Sequence, residues 1–214
     1  MTSNDARRRR VLATGLGLMT VLLLGAGLAA GSEGWSLPAL WRTWNDGDAL
    51  GIVAAIRAPR TLGAWLTGAL LGLSGAVAQG LFRNPLADPY LLGSASGASL
   101  AVVLVLAAST LGGHAISFAT ADALARFGLV GAAFVGALLG VMLTLTLARG
   151  AQQTTRLLLA GVVVGVVLAA LSDLVTSAAP DALRGKQAFM LGSTGFLGWI
   201  SCAILAAPAR FRRP

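Results

Sequence analysis

The sequence contains very few of the residues that most enzyme and metal sites need. Its 214 residues include one cysteine, Cys202, and one histidine, His114. This excludes a disulfide framework within the chain and argues against a Cys/His metal site. Phosphate-binding loops and the motifs His-Glu-x-x-His and Gly-x-Ser-x-Gly are also absent from the sequence. We therefore predict no catalytic residue, no metal ligand and no cofactor, and the chain is not expected to be an enzyme.

Charged residues are scarce as well. They make up 11% of the chain, hydrophobic residues make up 56%, and the mean hydropathy is +0.79. The net charge of +8 is compatible with nucleic-acid binding. However, the basic residues lie between apolar runs of membrane-spanning length, so membrane topology explains them better. We predict an all-α integral membrane protein, a polytopic helix bundle in contact with lipid and without a nucleic-acid partner.

Apolar runs of the roughly 20 residues needed to cross a bilayer recur along the chain. They follow a cytoplasmic basic head, residues 1–10, and precede a basic tail, residues 208–214. A cleaved signal peptide is the alternative for the first run, but the apolar part of a signal peptide usually has only about 7–15 residues. The predicted spans, all within one transmembrane domain at 11–207, are 11–30, 61–82, 90–111, 127–148, 157–179 and a weaker 188–207.

Arginine and lysine residues determine the predicted orientation. A cytoplasmic N-terminus puts more of them in cytoplasmic than in outer segments, and the Arg7–Arg10 cluster lies directly before the first span. We therefore predict a multi-pass protein of the cytoplasmic (inner) membrane with its N-terminus in the cytoplasm. This orientation places Arg57 and Arg60 on the outer side and the turn at Asn84-Pro85 on the cytoplasmic side.

Four of the spans carry pairs of glycines four residues apart. In lipid, this spacing lets helix backbones approach closely. The residues predicted to pack helices in this way are Gly68, Gly72, Gly93, Gly97, Gly136, Gly140, Gly161 and Gly165.

Arg57 and Arg60 lie three residues apart at the predicted start of a helix. Arginines do not suit the positive end of a helix dipole, so another group is expected to compensate them. Headgroup phosphates of the membrane are one candidate. Carboxylates of a protein partner are the other, because arginine forms bidentate, charge-assisted hydrogen bonds with them.

The segment Asn84-Pro85-Leu86-Ala87-Asp88-Pro89 joins the second and third spans. Its two prolines fix the backbone and break the flanking helices, so the segment is first of all a turn. A role for Asn84 and Leu86 at a pore mouth is the functional alternative. Thr154 and Thr155 lie in the next cytoplasmic hairpin, where they form a polar turn or a helix cap.

Asp173 is the only acidic residue inside an apolar span. Intramembrane ionisable residues usually face a polar cavity or a partner group. Asp173 lies near the outer end of its span. Two interpretations therefore remain: it lines a transport pathway, or it lies at a solvated helix end. His114 is expected to be a surface residue, and Cys202 is expected to be a small apolar filler.

Several motifs together point to one family. The sequence Arg57-x-Pro59-Arg60 is followed by a Gly/Ala-rich helix and by Arg83-Asn84-Pro85-Leu86-Ala87-Asp88-Pro89. The motifs Ser96-Gly97-Ala98-Ser99-Leu100 and Phe189-Met190-Leu191-Gly192-Ser193 continue the match. The combination resembles FecCD-type permease subunits, the membrane subunits of type II ABC importers for iron–siderophores, haem and vitamin B12.

The resemblance implies a permease domain of ten transmembrane helices that translocates a ferric-siderophore-type chelate. Its implied partners are a second permease subunit (homo- or heterodimer), cytoplasmic ATP-binding subunits, and a periplasmic or extracellular substrate-binding protein. Arg57 and Arg60 would dock acidic residues of that binding protein, and the fifth helix with Asp173 would line the pathway. The residues that the resemblance places at the cytoplasmic gate are Asn84, Pro85, Leu86, Thr154 and Thr155.

The sequence ends after about six of those ten helices, so a C-terminal truncation relative to the family is expected. Two alternatives fit the same residues. One is a stand-alone small carrier or channel that uses Asp173 as a proton or cation site. The other is a non-functional, truncated permease fragment.

Overall fold

The computed structural model describes residues 3–31, 34–35, 51–111, 123–149, 154–195 and 197–210. His114 and the end of the predicted basic tail, residues 211–214, lie outside the described residues. Seven α-helices run through the described ranges. They are α1 (Ser3–Ala29), α2 (Ala58–Phe82), α3 (Ser94–Leu111), α4 (Ala123–Leu147), α5 (Thr154–Ala178), α6 (Pro180–Leu191) and α7 (Trp199–Arg210).

Short elements connect these helices. A π-helical turn, Val53–Arg57, leads directly into α2, and a 3-10 turn, Pro89–Leu92, precedes α3. Two strands of two residues each, β1 (Ala30–Gly31) and β2 (Gly34–Trp35), pair antiparallel after α1. The described part of the chain is therefore almost entirely helical, as the composition predicts.

Four of the described helical segments are long and apolar enough to cross a membrane, judged by length and composition. They overlap the predicted first, second, fourth and fifth spans, but the second segment begins at Val53 and not at the predicted residue 61. The segments are Ala6–Ala29, Val53–Phe82, Phe127–Leu147 and Thr154–Ala178.

The predicted third span, 90–111, is α-helical only from Ser94 onward. Gly93 has a left-handed φ of +78°, which ends the 3-10 turn and redirects the chain before α3. As a result α3 has 18 residues and a length of about 27 Å at 1.5 Å per residue.

The predicted sixth span, 188–207, is shared between two helices. α6 ends at Leu191, where Gly192 adopts a φ of +68°, and α7 begins at Trp199. The polar segment before this span, 180–187, belongs to α6. Pro180 at the first position and Asp181 in the first turn both favour a helix start there.

Contacts group the chain into two compact units. The first unit comprises Met1–Leu71 and Thr194–Pro214, and the second comprises Gly72–Ser193. That residues 11–207 form a single transmembrane domain stays a prediction.

The core of the second unit surrounds α3, which packs against α4, α5 and α6. Small and branched side chains fill this core, which is typical of closely packed helices in membranes. Its buried residues are Val102, Val103, Leu106, Ala107, Leu129, Ala133 and Ala182.

Glycines bring the backbones of the second unit into direct contact. A methyl group added at Gly97 would collide with the carbonyl oxygen of Gly136. One added at Gly140 would lie 2.7 Å from the carbonyl oxygen of Gly93. The close approach of α3 and α4 therefore depends on glycine at these positions.

Other predicted packing glycines have more space. A methyl group at Gly165 would come no closer than 3.8 Å to the hydroxyl oxygen of Ser96. One at Gly68 or Gly72 would meet no described atom within 4 Å. Within the part of the chain that the structure describes, Gly68 and Gly72 thus lie in open space and not at a helix–helix contact.

Candidate functional site

The hairpin between α2 and the 3-10 turn is fixed by its own residues. The side chain of Asn84 accepts a hydrogen bond of 2.9 Å from the backbone N–H of Leu86. The carboxylate of Asp88 accepts one of 2.7 Å from the backbone N–H of Tyr90. Arg83, at the end of α2, has a left-handed φ of +48°. Such bonds from Asn and Asp side chains to the backbone two residues on replace a backbone turn, so the hairpin has a defined shape.

The two residues in the middle of the hairpin differ in burial. Ala87 is buried against Ala78 and Phe82 of α2. The side chain of the adjacent Leu86 is 88% exposed. Because Leu86 buries almost no surface within the chain, it contributes little to stability, and its apolar surface is free for another contact.

The start of α5 lies beside this hairpin. Leu157 and Leu158 pack against the cluster that contains Ala87. Thr154 and Thr155 are exposed in the first turn of the same helix. The structure therefore brings the two predicted gate segments to the same end of the second unit.

The 3-10 turn that follows the hairpin is held by α4 and α5. The hydroxyl of Thr144, which is completely buried, donates a hydrogen bond of 2.9 Å to the carbonyl oxygen of Leu92. On the other side, the backbone of Gly161 lies directly against the carbonyl of Leu91. Thr144 was not singled out from the sequence, because a threonine within an apolar run carries no signal of its partner.

A groove of about 470 Å³ runs along α5 in the second unit. It lies beside the 3-10 turn and the first turn of α3. The lining residues are Asp88, Tyr90, Leu91, Ser96, Gly161, Val162, Gly165, Val166 and Ala169. A spacing of four residues places Asp173 on the same helix face as Ala169, one turn beyond the groove.

Asp173 is paired with a lysine of the next helix. The distance from the Nζ of Lys186 to the Oδ1 of Asp173 is 2.6 Å, and the side chains are 15% and 72% exposed, respectively. This is the only ion pair among the residues that the structure describes. Lys186 was missed as a partner because the segment 180–187 was not predicted to be a helix. A basic residue shortly after the end of the fifth span was the available signal.

In the first unit, Arg60 lies in the first turn of α2, and Arg57 directly precedes this helix at the end of a π-helical turn that was not predicted. The π-helical turn Val53–Arg57 precedes α2, because the apolar residues before Arg57 extend the helical segment. Arg57 Nη1 donates a hydrogen bond of 3.4 Å to the carbonyl oxygen of Leu28, and Arg60 Nη2 donates one of 2.9 Å to that of Gly195. Neither guanidinium forms an ion pair with a described carboxylate.

Contacts with α7 hold the start of α2 in place. The indole N–H of Trp199 donates a hydrogen bond of 3.0 Å to the carbonyl oxygen of Ala54. The buried thiol of Cys202 donates one of 3.2 Å to the carbonyl oxygen of Pro59. The backbone that carries the two arginines is therefore anchored on both sides of Arg57.

Both arginines line a cavity of about 770 Å³ in the first unit. Most of the other lining side chains are apolar and come from the end of α1, the π-helical turn and the first turns of α2, among them Leu23, Ile56 and Trp65. The arrangement combines two positive charges with an apolar wall, so it can accept a ligand that is anionic at one end.

The sequence profile of the FecCD transport family matches residues 18–211. The chain is similar to the hemin transport system permease protein HmuU of Yersinia pestis, with 34% identity over 197 residues, which cover 90% of this chain and 57% of that protein. It is also similar to the vitamin B12 import system permease protein BtuC of Klebsiella pneumoniae, with 37% identity over 196 residues, which cover 90% of this chain and 54% of that protein. The chain spans about half the length of the curated relatives it matches.

The fold is also similar to a solved structure, described as an inward-facing conformation of a metal-chelate type ABC transporter. The TM-score is 0.74 at 24% sequence identity, over 94% of this chain and 59% of that chain. This likeness confirms the predicted all-α membrane fold.

Proposed function

The chain belongs to the FecCD transport family, and we propose that it forms a membrane-spanning part of an ABC importer permease. The membership confirms the family predicted from the motifs, which is a transport family and not an enzyme family. We propose a ferric-siderophore-type chelate as the substrate. Haem and vitamin B12 are the alternatives, because similar proteins are named for hemin and vitamin B12 transport.

The proposed partners follow from what a permease needs. The sequence has no phosphate-binding loop, so the energy would come from separate cytoplasmic ATP-binding subunits. A second permease subunit would complete the pathway, and a substrate-binding protein would deliver the chelate on the outer side. We place the chain in the cytoplasmic membrane with its N-terminus inside, on the basis of the Arg7–Arg10 cluster.

The observation that carries the proposal is the geometry of the hairpin. Leu86 projects from a turn that its neighbours fix, and the exposed Thr154 and Thr155 begin α5 at the same end of the unit. We assign these residues, with Asn84 and Pro85, to the cytoplasmic gate. Because the hairpin and the following 3-10 turn are held by hydrogen bonds and close backbone contacts, opening would move whole helices and leave the turn intact.

The groove along α5 supports a second assignment. Its face of small residues continues to Asp173, which would line the outer part of the pathway. The ion pair with Lys186 would neutralise the charge of this carboxylate and so weaken its attraction for free cations. On the outer side, Arg57 and Arg60 would bind carboxylates of the substrate-binding protein through charge-assisted hydrogen bonds.

Isolation of the tagged chain from membranes of its own source tests this proposal. The expected result is co-purification of an ATP-binding subunit and of a second permease chain in stoichiometric amounts. The Leu86→Asp variant is isolated in the same way, and it should still be present in the membrane because this side chain is exposed. Recovery of the native chain without any ATP-binding subunit, from membranes solubilised in a mild detergent, would contradict the proposal.

A further inference from the structure

We propose that the 770 Å³ cavity of the first unit binds an anionic phospholipid. Its phosphate would lie between the guanidinium groups of Arg57 and Arg60, and one acyl chain would lie along the apolar wall formed by α1 and α2. This inference concerns a lipid site and does not depend on the identity of the transported chelate.

The two arginines of the cavity favour an anionic ligand. Arg57 and Arg60 both line it, and neither has a carboxylate partner among the described side chains. Each guanidinium has five N–H donors, and the structure shows one bond from each, to the carbonyl oxygens of Leu28 and Gly195. Several donors therefore remain for the oxygens of a phosphate, which arginine binds in bidentate fashion.

The apolar wall of the cavity favours a ligand with a hydrocarbon chain. Leu23 and Leu24 of α1 face it, together with Ile56 and Trp65 of the second membrane-capable segment. Its volume lies within the roughly 300–1,000 Å³ of typical ligand sites. A ligand with one anionic end and an apolar body matches both halves of the cavity, whereas an acidic peptide matches only the arginines.

The position of the cavity favours a lipid as the source of this ligand. It lies at the end of α1, next to Ala30, and at the beginning of the second membrane-capable segment, next to Ile52. Both helices thus reach the edge of their apolar part at the cavity. Lipid phosphates lie at that level of a bilayer, and tryptophan and arginine are typical of it.

The N–H donors of the two arginines that form no hydrogen bond within the described part of the chain also allow a lipid and the proposed substrate-binding protein to bind at the same time. Arg60 is exposed, whereas Arg57 is partly buried beside the carbonyl of Leu28. Arg57 is therefore the main phosphate ligand in this proposal, and Arg60 can share its donors with a carboxylate from the aqueous side.

Fluorescence quenching by brominated lipids tests the proposal. The full chain is reconstituted in phosphatidylcholine vesicles that contain either brominated phosphatidylglycerol or brominated phosphatidylcholine. Bromine quenches a tryptophan that it contacts, and comparison with Trp65→Phe isolates the signal of Trp65, which lines the cavity. We expect phosphatidylglycerol to quench Trp65 at an about tenfold lower lipid fraction, a preference that one or two charge-assisted hydrogen bonds provide.

Three variants make the test specific. Arg57→Gln with Arg60→Gln should abolish the preference for phosphatidylglycerol. The control, Arg83→Gln with Arg149→Gln, removes the same charge from exposed positions of the second unit and should retain the preference.

Ala64→Phe keeps both arginines and fills part of the cavity, so it should also reduce the preference. This variant decides the question if the double arginine variant does not reconstitute. Equal quenching of Trp65 by both lipids would overturn the proposal. Binding of an acidic peptide to the arginines with no lipid preference would assign the site to a protein partner and would overturn it as well.

Discussion

The ammonium group of Lys186 lies 2.6 Å from the carboxylate of Asp173 and joins α6 to α5. The lysine side chain is largely buried, whereas the carboxylate is mostly exposed. Asp173 is therefore an acid with a partner at the end of a helix.

The first prediction concerns this ion pair. Asp173→Asn keeps the size of the side chain and removes its charge. Because the carboxylate is mostly exposed to solvent, the free energy of unfolding should fall by no more than about 1 kcal/mol. Denaturant unfolding of the variant in detergent, followed by circular dichroism, measures this change.

Uptake separates two roles of the same residue. In the assembled importer, Asp173→Asn should leave the rate of uptake within about threefold of the wild-type rate, a factor that corresponds to roughly 0.7 kcal/mol. If this chain alone transports a cation or proton in liposomes and Asp173→Asn abolishes that transport, the stand-alone carrier is supported and the importer is contradicted.

The second prediction concerns the contact of α3 with α4. Gly97→Ala would place a methyl group against the carbonyl oxygen of Gly136, so the two helices must separate. We expect a loss of about 1–3 kcal/mol, as for overpacking elsewhere. The thermal midpoint of unfolding in detergent measures this loss. Gly68→Ala is the matched control, since it meets no described atom within 4 Å and should leave the midpoint unchanged or raise it. Equal effects of the two substitutions would refute the contact.

The third prediction separates the shape of the hairpin from its exposed side chain. Asn84→Ala removes the acceptor for the N–H of Leu86 and should lower stability by about 1 kcal/mol. Leu86→Ala should leave stability within about 0.5 kcal/mol, because a surface substitution changes little. If Leu86 belongs to the gate, the same substitution should alter substrate leak or uptake. A large loss of stability in Leu86→Ala would show that this side chain is buried in the functional complex.

The fourth prediction concerns docking on the outer side. Replacement of Arg57 and Arg60 by glutamate in the complete transporter should weaken binding of the substrate-binding protein by at least tenfold, because attraction to carboxylates becomes repulsion. A pull-down with the purified binding protein measures this. Arg83→Glu with Arg149→Glu is the control with the same change of charge. Docking that is equally strong in both variants would argue against the assignment.

Much of the fold could be predicted from the sequence because long apolar runs dictate membrane helices. The segments Phe127–Leu147 and Thr154–Ala178 lie close to the predicted runs, whereas Val53–Phe82 begins eight residues before its predicted span, 61–82. The family could be predicted from the Asn84–Asp88 hairpin and its flanks. In both cases the signal is local in the sequence.

Features that depend on tertiary contacts could not be predicted in this way. Gly68/Gly72 and Gly97 have the same kind of spacing, but only Gly97 meets a neighbouring backbone. The pairing of Lys186 with Asp173 becomes visible only in the structure, where α6 brings the two side chains together. The polar composition of α6 concealed this helix, because its start is favoured by Pro180 and Asp181 and not by an apolar run.

Uptake of radiolabelled substrates by source cells tests the central claim most directly. Cells that lack the gene for this chain are compared with the parent for uptake of a ferric siderophore, haem and vitamin B12. The account predicts that uptake of one chelate, a ferric siderophore in the first place, is lost while the other two continue. Unchanged uptake of all three would contradict the proposed role in chelate import.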